Sequence, residues 1–452
     1  MLLDYLPSAA LLLGAAASAL ASNKAQALNL ATAGAVGGGV VVAGLAMAGM
    51  GVGLATAVGL LTCFVAAVVL GFSVRHMRAD PRGKAFAVRM SLLIASVLGF
   101  VAARDLVALA LCWIASGVLL GQLIRHARGW AEADRAAGRA WTAFAIGDSA
   151  LVGGFALLAW GAGSTSIELS LARIGDLPAW MTGVIAMLLI VAAAARCGLP
   201  PFSRWLLRSM AAPTPVSAVM HAGLVNAGGF LLIRFAPVME AAPVARWAAI
   251  GLGFVAALWG VGVMLVRPDV KRSLAGSTVA QMGFMVLTCG FGAYAAAAWH
   301  LVAHGLFKAW LFLSAGSAIG ETSAPALRPA ASDAPLAAAL LALGAGGVAI
   351  AAGYASSELL ALTLTAAGGL ALTGAVLLSA HRLALVPVLA GAVAANLAGV
   401  ALFASALDHQ APALPGAGIV ALLLAAAFLT AWVRQARGQA LPPALYARLT
   451  AA

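Results

Sequence analysis

Apolar positions along this chain neither alternate with polar ones nor gather on one helical face; they fill whole stretches, parted by short polar segments. Stretches long enough to cross a bilayer, about 20 residues each, recur almost from end to end. They run roughly over 5–21, 27–48, 51–74, 86–103, 105–124, 140–160, 180–198, 213–236, 245–266, 274–292, 295–318, 333–353, 357–380, 383–406 and 414–433. None has the two-residue alternation of a barrel strand, so helices are the reading that satisfies the backbone in lipid. The pattern predicts an all-α polytopic membrane protein of about fourteen or fifteen transmembrane helices. The Gly353 to Glu358 stretch decides the count, reading either as a turn between two spans or as a break within one.

Composition sharpens this picture. The 452 residues are 63% hydrophobic and 9% charged, against roughly one quarter charged in a soluble domain. Met1 to Leu20 lacks a basic start and carries Asp4, so it reads as a first span rather than a cleaved signal. The 51 glycines signal close helix packing of the GxxxG kind rather than chemistry. Cys63, Cys112, Cys197 and Cys289 stand far apart, without a CxxC pair or histidines at ligand spacing, and read as structural.

The net charge of +12 invites a nucleic-acid reading until each basic residue is placed. Twenty of the 26 Lys and Arg residues fall in loops after odd-numbered spans or in the C-terminal tail, among them Lys24, Arg75, Arg78, Arg82, Arg125, Arg128, Arg208, Arg267 and Lys271. Only Arg104, Arg173, Arg234 and Arg246 fall in the even loops. This is the positive-inside asymmetry; it places the N-terminus outside and the basic loops in the cytoplasm, so no nucleic acid is needed to explain the charge. The basic face suits anionic lipid or a soluble partner.

Two basic residues remain, Arg196 and Lys308, and both fall at or within spans, as do Asp148, His221, His300, His304 and Glu358. A charge in hydrocarbon costs about 2.5–3.5 kcal/mol on insertion scales, so each of these is a functional candidate. The densest group is His300, His304 and Lys308, at i, i+4 and i+8 on one helix face. Neighbours at that spacing sit about 5–6 Å apart, close enough for one water to bridge. Histidine titrates near neutral pH and a desolvated lysine can follow it, so the stripe can relay protons. The competing reading is three polar side chains gluing helices together. His221 follows the two prolines of Pro213-Thr214-Pro215, which mark a helix start or break. Asp148 is placed to pair with an arginine, and Asp269 and Lys271 read by default as solvated loop charges.

These motifs together resemble the proton-translocating subunits of respiratory complex I, especially its subunit 5 (L), and the related Mrp antiporter subunits. The likeness runs through Gly147-Asp148, Leu199-Pro200-Pro201-Phe202 with Trp205, Ala212 to Ala218 followed by His221, Asp269-Val270-Lys271-Arg272 with Ser277-Thr278, and the His300/His304/Lys308 stripe, covering roughly 85–365. Within that group, His221 to Arg234, Gln281 to Met285 with Cys289-Gly290, and His300 to His304 are closer to DabB, the membrane subunit family of two-part inorganic carbon transporters. A subunit 5 would be expected to continue into a lateral helix and a further anchor, whereas this sequence ends shortly after its last apolar stretch.

The resemblance implies two inverted five-helix antiporter-like repeats, 86–236 and 245–380, with N-terminal helices over 1–74, C-terminal helices over 383–434 and a cytoplasmic tail over 435–452. It implies broken helices, for which Gly198 to Phe202 and Gly353 to Ser357 are the candidates. It implies a transport subunit rather than an enzyme, in a bacterial inner membrane, docked to a soluble, zinc-binding DabA-like partner on the cytoplasmic face. That partner would carry the zinc, with no cofactor in this chain, and hydrate CO2 vectorially while this subunit conducts protons or cations. Asp269 and Lys271 would be a supporting cytoplasmic motif. The alternatives are a complex I-like or Mrp-type proton-translocating subunit and a non-conducting anchor.

The sequence departs from the pump pattern at three places. Trp113 is followed by Ile114 where subunit 5 has glutamate, the seventh-span lysine is Arg196, and the second break reads Ser356-Ser357-Glu358 without its lysine. Arginine does not deprotonate in proteins, so Arg196 reads as a fixed charge and conduction is assigned to the His300 to Lys308 half. For the topology, a fluorescent protein fused after Arg82 should fold and glow while alkaline phosphatase there stays inactive; the reverse pattern would invert the orientation.

Overall fold

A computed structural model of the chain describes residues 2–50, 53–316, 382–407, 411–412, 414–436 and 441–451. The long helices are α1 (Leu6–Leu20), α2 (Lys24–Leu45), α3 (Leu54–His76), α4 (Gly83–Ala102), α5 (Leu106–Ile124) and α6 (Ala131–Ala162). After the short α7 (Ile167–Ala172) come α8 (Ala179–Cys197), a short α9 (Ser203–Leu207), and the pair α10 (Thr214–Ala222) and α11 (Ala227–Arg234). A short α12 (Ala236–Glu240) leads to α13 (Pro243–Val266), α14 (Val270–Phe291) and α15 (Tyr294–Ser314), and the C-terminal side supplies α16 (Arg382–Leu407), α17 (Ala417–Ala436) and α18 (Pro443–Ala451). Among the described residues ten helical segments are long and apolar enough to cross a membrane. α15 is just as long but is not among them, because two histidines and a lysine dilute its hydropathy. The predicted spans 333–353 and 357–380, Glu358 and the second candidate break lie outside the described residues.

The solvent logic of the surface is inverted. Leu13, Phe64, Leu111 and Trp160 stand exposed, while Arg196, Arg246, His221, Thr278 and Lys308 are buried. In water that arrangement would be unstable; in a bilayer the apolar side chains face lipid and the polar ones find partners inside the bundle. The protein is an integral membrane protein, and its family match, reported below, agrees.

Helix ends follow from specific residues. The Asn23 side chain accepts from the Gln26 amide at 2.9 Å, while the Gln26 side chain reaches back to the Ser22 amide at 2.9 Å, closing α2 reciprocally. Asp105 accepts from the Val107 and Ala108 amides at 2.8 and 3.2 Å. Burial raises the Asp105 carboxyl, but hydrogen bonds from Thr165 and those two amides hold it below the usual carboxylate range. α6, α8 and α14 each stop at a left-handed glycine, Gly163, Gly198 and Gly292, a conformation that a side chain disfavours.

Three of the four arginines of the even loops serve the opposite ends. Arg173 donates to Ala162 O at 2.6 Å at the end of α6. Arg234 donates to Val101 O and Ala103 O at the end of α4, and Arg246 to Gly290 O and Phe291 O at the end of α14, 3.0 and 2.8 Å away. Each satisfies carbonyls that have no partner within their helix and meets the negative end of its dipole. The fourth, Arg104, pairs with Asp4 at 2.8 Å.

Among the described residues, α13 and α14 pack backbone against backbone. A Cβ added to Gly253 would lie 2.5 Å from Gly283 O, one on Gly260 2.2 Å from Ala280 N, and one on Gly276 2.7 Å from Met264 N. These glycines recur every seven residues on both helices, a longer repeat than the GxxxG spacing expected from the sequence, and backbone touches backbone along the seam. Gly260→Leu should therefore lower stability by about 1–3 kcal/mol or more in a thermal melt in detergent. Gly251→Ala, which meets nothing within 4 Å, should stay within about 0.5 kcal/mol of wild type; equal melts for the two variants would refute the seam.

Candidate functional site

The sequence predicts a span over 213–236, and the structure places one at Thr214–Arg234 but interrupts its helix. α10 ends at Ala222, Gly223 leaves helical geometry, Leu224 to Asn226 make a single tight turn, and α11 resumes at Ala227. The interruption frees backbone groups in the middle of the bundle, and Asn226 takes them up. Its Nδ2 donates to Ala222 O at 2.8 Å and to Leu301 O of α15 at 3.2 Å. α15 is pressed against the break, since a Cβ on Gly305 would come within 2.7 Å of Ala222 O. A small cavity of about 20 Å³ lies beside it, lined by Thr62, Ala222, Gly223 and Leu224 among others, room for about one water.

α15 turns its polar stripe into the bundle. His304 is 5% and Lys308 1% exposed, while His300 is half-buried. The His300 and His304 rings stack nearly parallel with centroids 5.7 Å apart, and Phe284 of α14 lies 5.6 Å from His300. His304 is within electrostatic range of His300, Lys308 and His221. Lys308 Nζ donates to Leu274 O at 3.0 Å, the carbonyl that also accepts from the Thr278 hydroxyl at 2.9 Å. That hydroxyl lies 3.1 Å from His221 Nδ1, and the His221 ring stacks on Phe312 at 4.2 Å. Lys308, Leu274, Thr278 and His221 thus form one hydrogen-bonded chain across three helices.

With the Thr278 hydroxyl hydrogen directed to Leu274 O, the Thr278 oxygen is left to accept from Nδ1 of a neutral His221. The Nε2 atoms of His221, His300 and His304 are buried and have no hydrogen-bond partner, which presents acceptor positions along the stripe. Toward the basic end, Lys271 Nζ donates to Thr214 Oγ1 at 3.0 Å in the first turn of α10. Asp269 is exposed, as expected of a solvated charge, and also caps α14 by accepting from the Arg272 amide at 3.0 Å, its other oxygen lying 3.4 Å from Arg272.

Asp148 and Arg196 form a separate centre. Arg196 Nη2 meets Asp148 Oδ1 at 3.0 Å and Trp113 O at 3.1 Å, and Nη1 donates to Ser116 at 3.2 Å. Trp113 Nε1 also donates to Asp148 at 3.0 Å. The guanidinium plane lies between the Trp113 and Phe144 rings, 4.6 and 4.7 Å from their centroids, a use of planarity that lysine does not share. The two centres meet at Cys197, whose thiol donates to Val225 O inside the break at 3.1 Å. Sequence reasoning named Thr278 and Asn226 only as members of family phrases, with no role, and did not name Ser116 or Phe144. An asparagine five residues after a histidine in an apolar run was the one available signal. Among the described residues no group of three or more His, Cys, Asp or Glu side chains is placed to hold a metal ion.

Residues 103–379 match the family described as NADH:quinone oxidoreductase/Mrp antiporter, transmembrane. The chain belongs to this family. Among curated relatives, it is 38% identical over 277 residues to the probable inorganic carbon transporter subunit DabB1 of Halothiobacillus neapolitanus, covering 59% of this chain and 49% of that one. It is 39% identical over 270 residues to the corresponding DabB of Bacillus subtilis, 58% of this chain and 53% of that one. It is 35% identical over 263 residues to NADH-quinone oxidoreductase subunit L of Mycobacterium tuberculosis, 58% of this chain and 42% of that one. The chain thus spans about half the length of these relatives. In fold it is similar to a chain of the Mrp complex from Dietzia sp., with a TM-score of 0.64 at 24% identity over 99% of this chain and 55% of that one. A chain of an archaeal membrane-bound sulfane sulfur reductase gives 0.63 at 18% identity over 100% and 96%. The resemblance read from the motifs is borne out at the level of the family.

The arginine centre generates its own expectation. Arg196→Ala leaves Asp148 buried without its countercharge and should cost about 3–5 kcal/mol, read as a lowered melting temperature in detergent. Arg196→Lys should recover only part of that loss, and complete recovery would show that stacking between Trp113 and Phe144 contributes nothing.

Proposed function

We propose that this chain is the membrane subunit of an energy-coupled inorganic carbon uptake complex, conducting protons or cations through the His300, His304 and Lys308 stripe and His221. Its partner would be a soluble, zinc-binding, carbonic-anhydrase-like subunit of the DabA kind, docked on the basic side of the bundle and hydrating CO2 to bicarbonate vectorially. The zinc belongs to that partner, the basic side is the cytoplasmic one, and the membrane is a bacterial inner membrane.

The observation that carries the conduction part is the placement of His221, His304 and Lys308 beside a helix break, where Leu274 O and Thr278 hold Lys308 and His221 in position and the Nε2 atoms of His221, His300 and His304 are left as acceptors for water. Groups able to take up and release protons lie there within reach of one another, beside backbone that has left its helix, the arrangement transporters use to line a polar path. His221, its Nδ1 held by Thr278, can take up a proton at the unpartnered Nε2 and return it there to a passing water. Glu358 is assigned to the same path. The Lys271 contact with Thr214 makes Lys271 the entry residue on the cytoplasmic side, with Asp269 supporting it through the α14 cap. Arg196, held against Asp148, Ser116 and Trp113, acts as a fixed positive barrier, so the first half of the protein does not pump.

The carbon-uptake part rests on the DabB relatives. A respiratory or antiporter role is the second reading, favoured by the 35% identity to a subunit L. The closed Arg196 cluster favours the third, a non-conducting anchor. Lys308→Ala should abolish gradient-dependent carbon uptake in cells while insertion and co-purification with a zinc protein persist. Full uptake in that variant would remove the relay, and co-purification with a set of hydrophobic subunits in place of one zinc protein would favour the respiratory reading.

A further inference from the structure

At the basic end of the bundle, two loops far apart in sequence are fastened together. His126 Nε2 lies 2.9 Å from Asp80 Oδ2, across the 77–82 and 125–130 connections, and the imidazole, 2% exposed, sits edge-on against Phe86 at 5.5 Å. Burial pushes the His126 imidazole down from its ordinary value, and the Asp80 carboxylate only partly restores it. Burial raises the Asp80 carboxyl, but the Arg82 amide, the His126 ring and the Arg82 charge together hold it low. The neutral ring therefore donates to an ionised Asp80, and this carboxylate is already engaged.

The fastening gathers cations. Arg89 of α4 lies within electrostatic range of both Arg82 and Arg128. Lys24, whose Nζ donates to Asp80 O at 3.1 Å, packs its stem where a Cβ on Gly83 would be, 3.3 Å away, and Lys84 follows in the first turn of α4. Among the described residues Arg82, Arg89 and Arg128 make no salt bridge to a carboxylate, while the nearby Glu132 and Asp134 are taken by Arg135, Arg139 and Arg125. The first turn of α4 carries no acidic residue, and its cap residue, Arg82, makes no side-chain capping bond, Asp80 taking up the Arg82 amide just ahead of it. Arg82 has only the Asp80 carboxylate in range, which His126 already engages, and Arg89 lies within electrostatic range of both Arg82 and Arg128, so this group of cations is short of countercharge until an anion joins it.

We propose that Arg82, Arg89 and Arg128 bind the phosphate of an anionic lipid headgroup. The site's position selects a lipid over a soluble ion. It lies where α2 and α4 begin and α3 and α5 end, at one mouth of four spans. Exposed Trp130, two residues beyond Arg128, stands there at 52% exposure, as aromatic side chains do at the headgroup level. The lipid closes a ring that His126 and Asp80 leave open, tying α4 to the α5–α6 connection.

The test is a thermal melt of the purified full-length chain in neutral detergent, titrated with cardiolipin, phosphatidylglycerol, phosphatidylcholine or inorganic phosphate. The anionic lipids should raise the melting temperature and phosphatidylcholine should not. The triple variant Arg82→Gln/Arg89→Gln/Arg128→Gln should need roughly 100-fold more anionic lipid for half the effect. Arg135→Gln/Arg139→Gln, which removes two basic charges already paired with Glu132 on the neighbouring helix, should respond as wild type does. Because the triple variant can fail to fold, the single loop variant Arg128→Gln is titrated too and should show a weaker response of the same sign. An unchanged response in the triple and single variants would overturn the site. Equal loss in the Arg135/Arg139 variant would reduce it to diffuse surface charge, and full stabilisation by inorganic phosphate alone would make it a free-anion site.

Discussion

A carbonyl that leaves its helix inside hydrocarbon has no water to turn to, so it must find a donor within the protein. At the α10–α11 break the donor is the Asn226 amide, which holds Ala222 O with one hydrogen and Leu301 O with the other. Without that bridge the break would present uncompensated backbone to an apolar interior, at a cost of several kcal/mol for each group. Once the interruption is stabilised, His221 can sit at depth beside Thr278, α15 can approach on Gly305, and Lys308 can share a carbonyl with Thr278. The polar path is a consequence of this local repair.

The two buried centres meet the same constraint in opposite ways. Arg196 is held by carboxylate, hydroxyl and carbonyl and lies against two aromatic rings, so its charge is pinned in place. The histidines of the other centre each keep one ring nitrogen without a partner. A saturated charge holds structure together, and an unsaturated imidazole can exchange a proton. That contrast separates a barrier from a path more firmly than residue type does.

Much of this was legible in the residues and some was not. Long apolar stretches mark spans because a bilayer admits little else, and Gly198 before Pro200-Pro201 announces the end of α8. The i, i+4, i+8 spacing of His300, His304 and Lys308 placed them on one face before any coordinates did. The break at Gly223 was hidden because Gly223, Gly228 and Gly229 read as packing glycines, and helix packing does use two of them: a Cβ on Gly228 would strike Cys197, and one on Gly229 would strike Met285. The fastening of Asp80 to His126 joins residues 46 apart, and no periodicity records such a contact. Likewise the even-loop arginines were read only as exceptions to the charge rule, since a helix end 133 residues away from Arg234 leaves no local trace.

The glycine seam between α13 and α14 also governs what can move. Two helices whose backbones interlock at every second turn resist sliding or twisting past each other, so they behave as one stiff plank. Lys271, Leu274 and Thr278 all stand on that plank, whereas His221 stands on a short segment hinged at Gly223. Any displacement that opens or closes the line between Thr278 and His221 must then come from the hinged side, with α14 serving as the fixed wall against which it works.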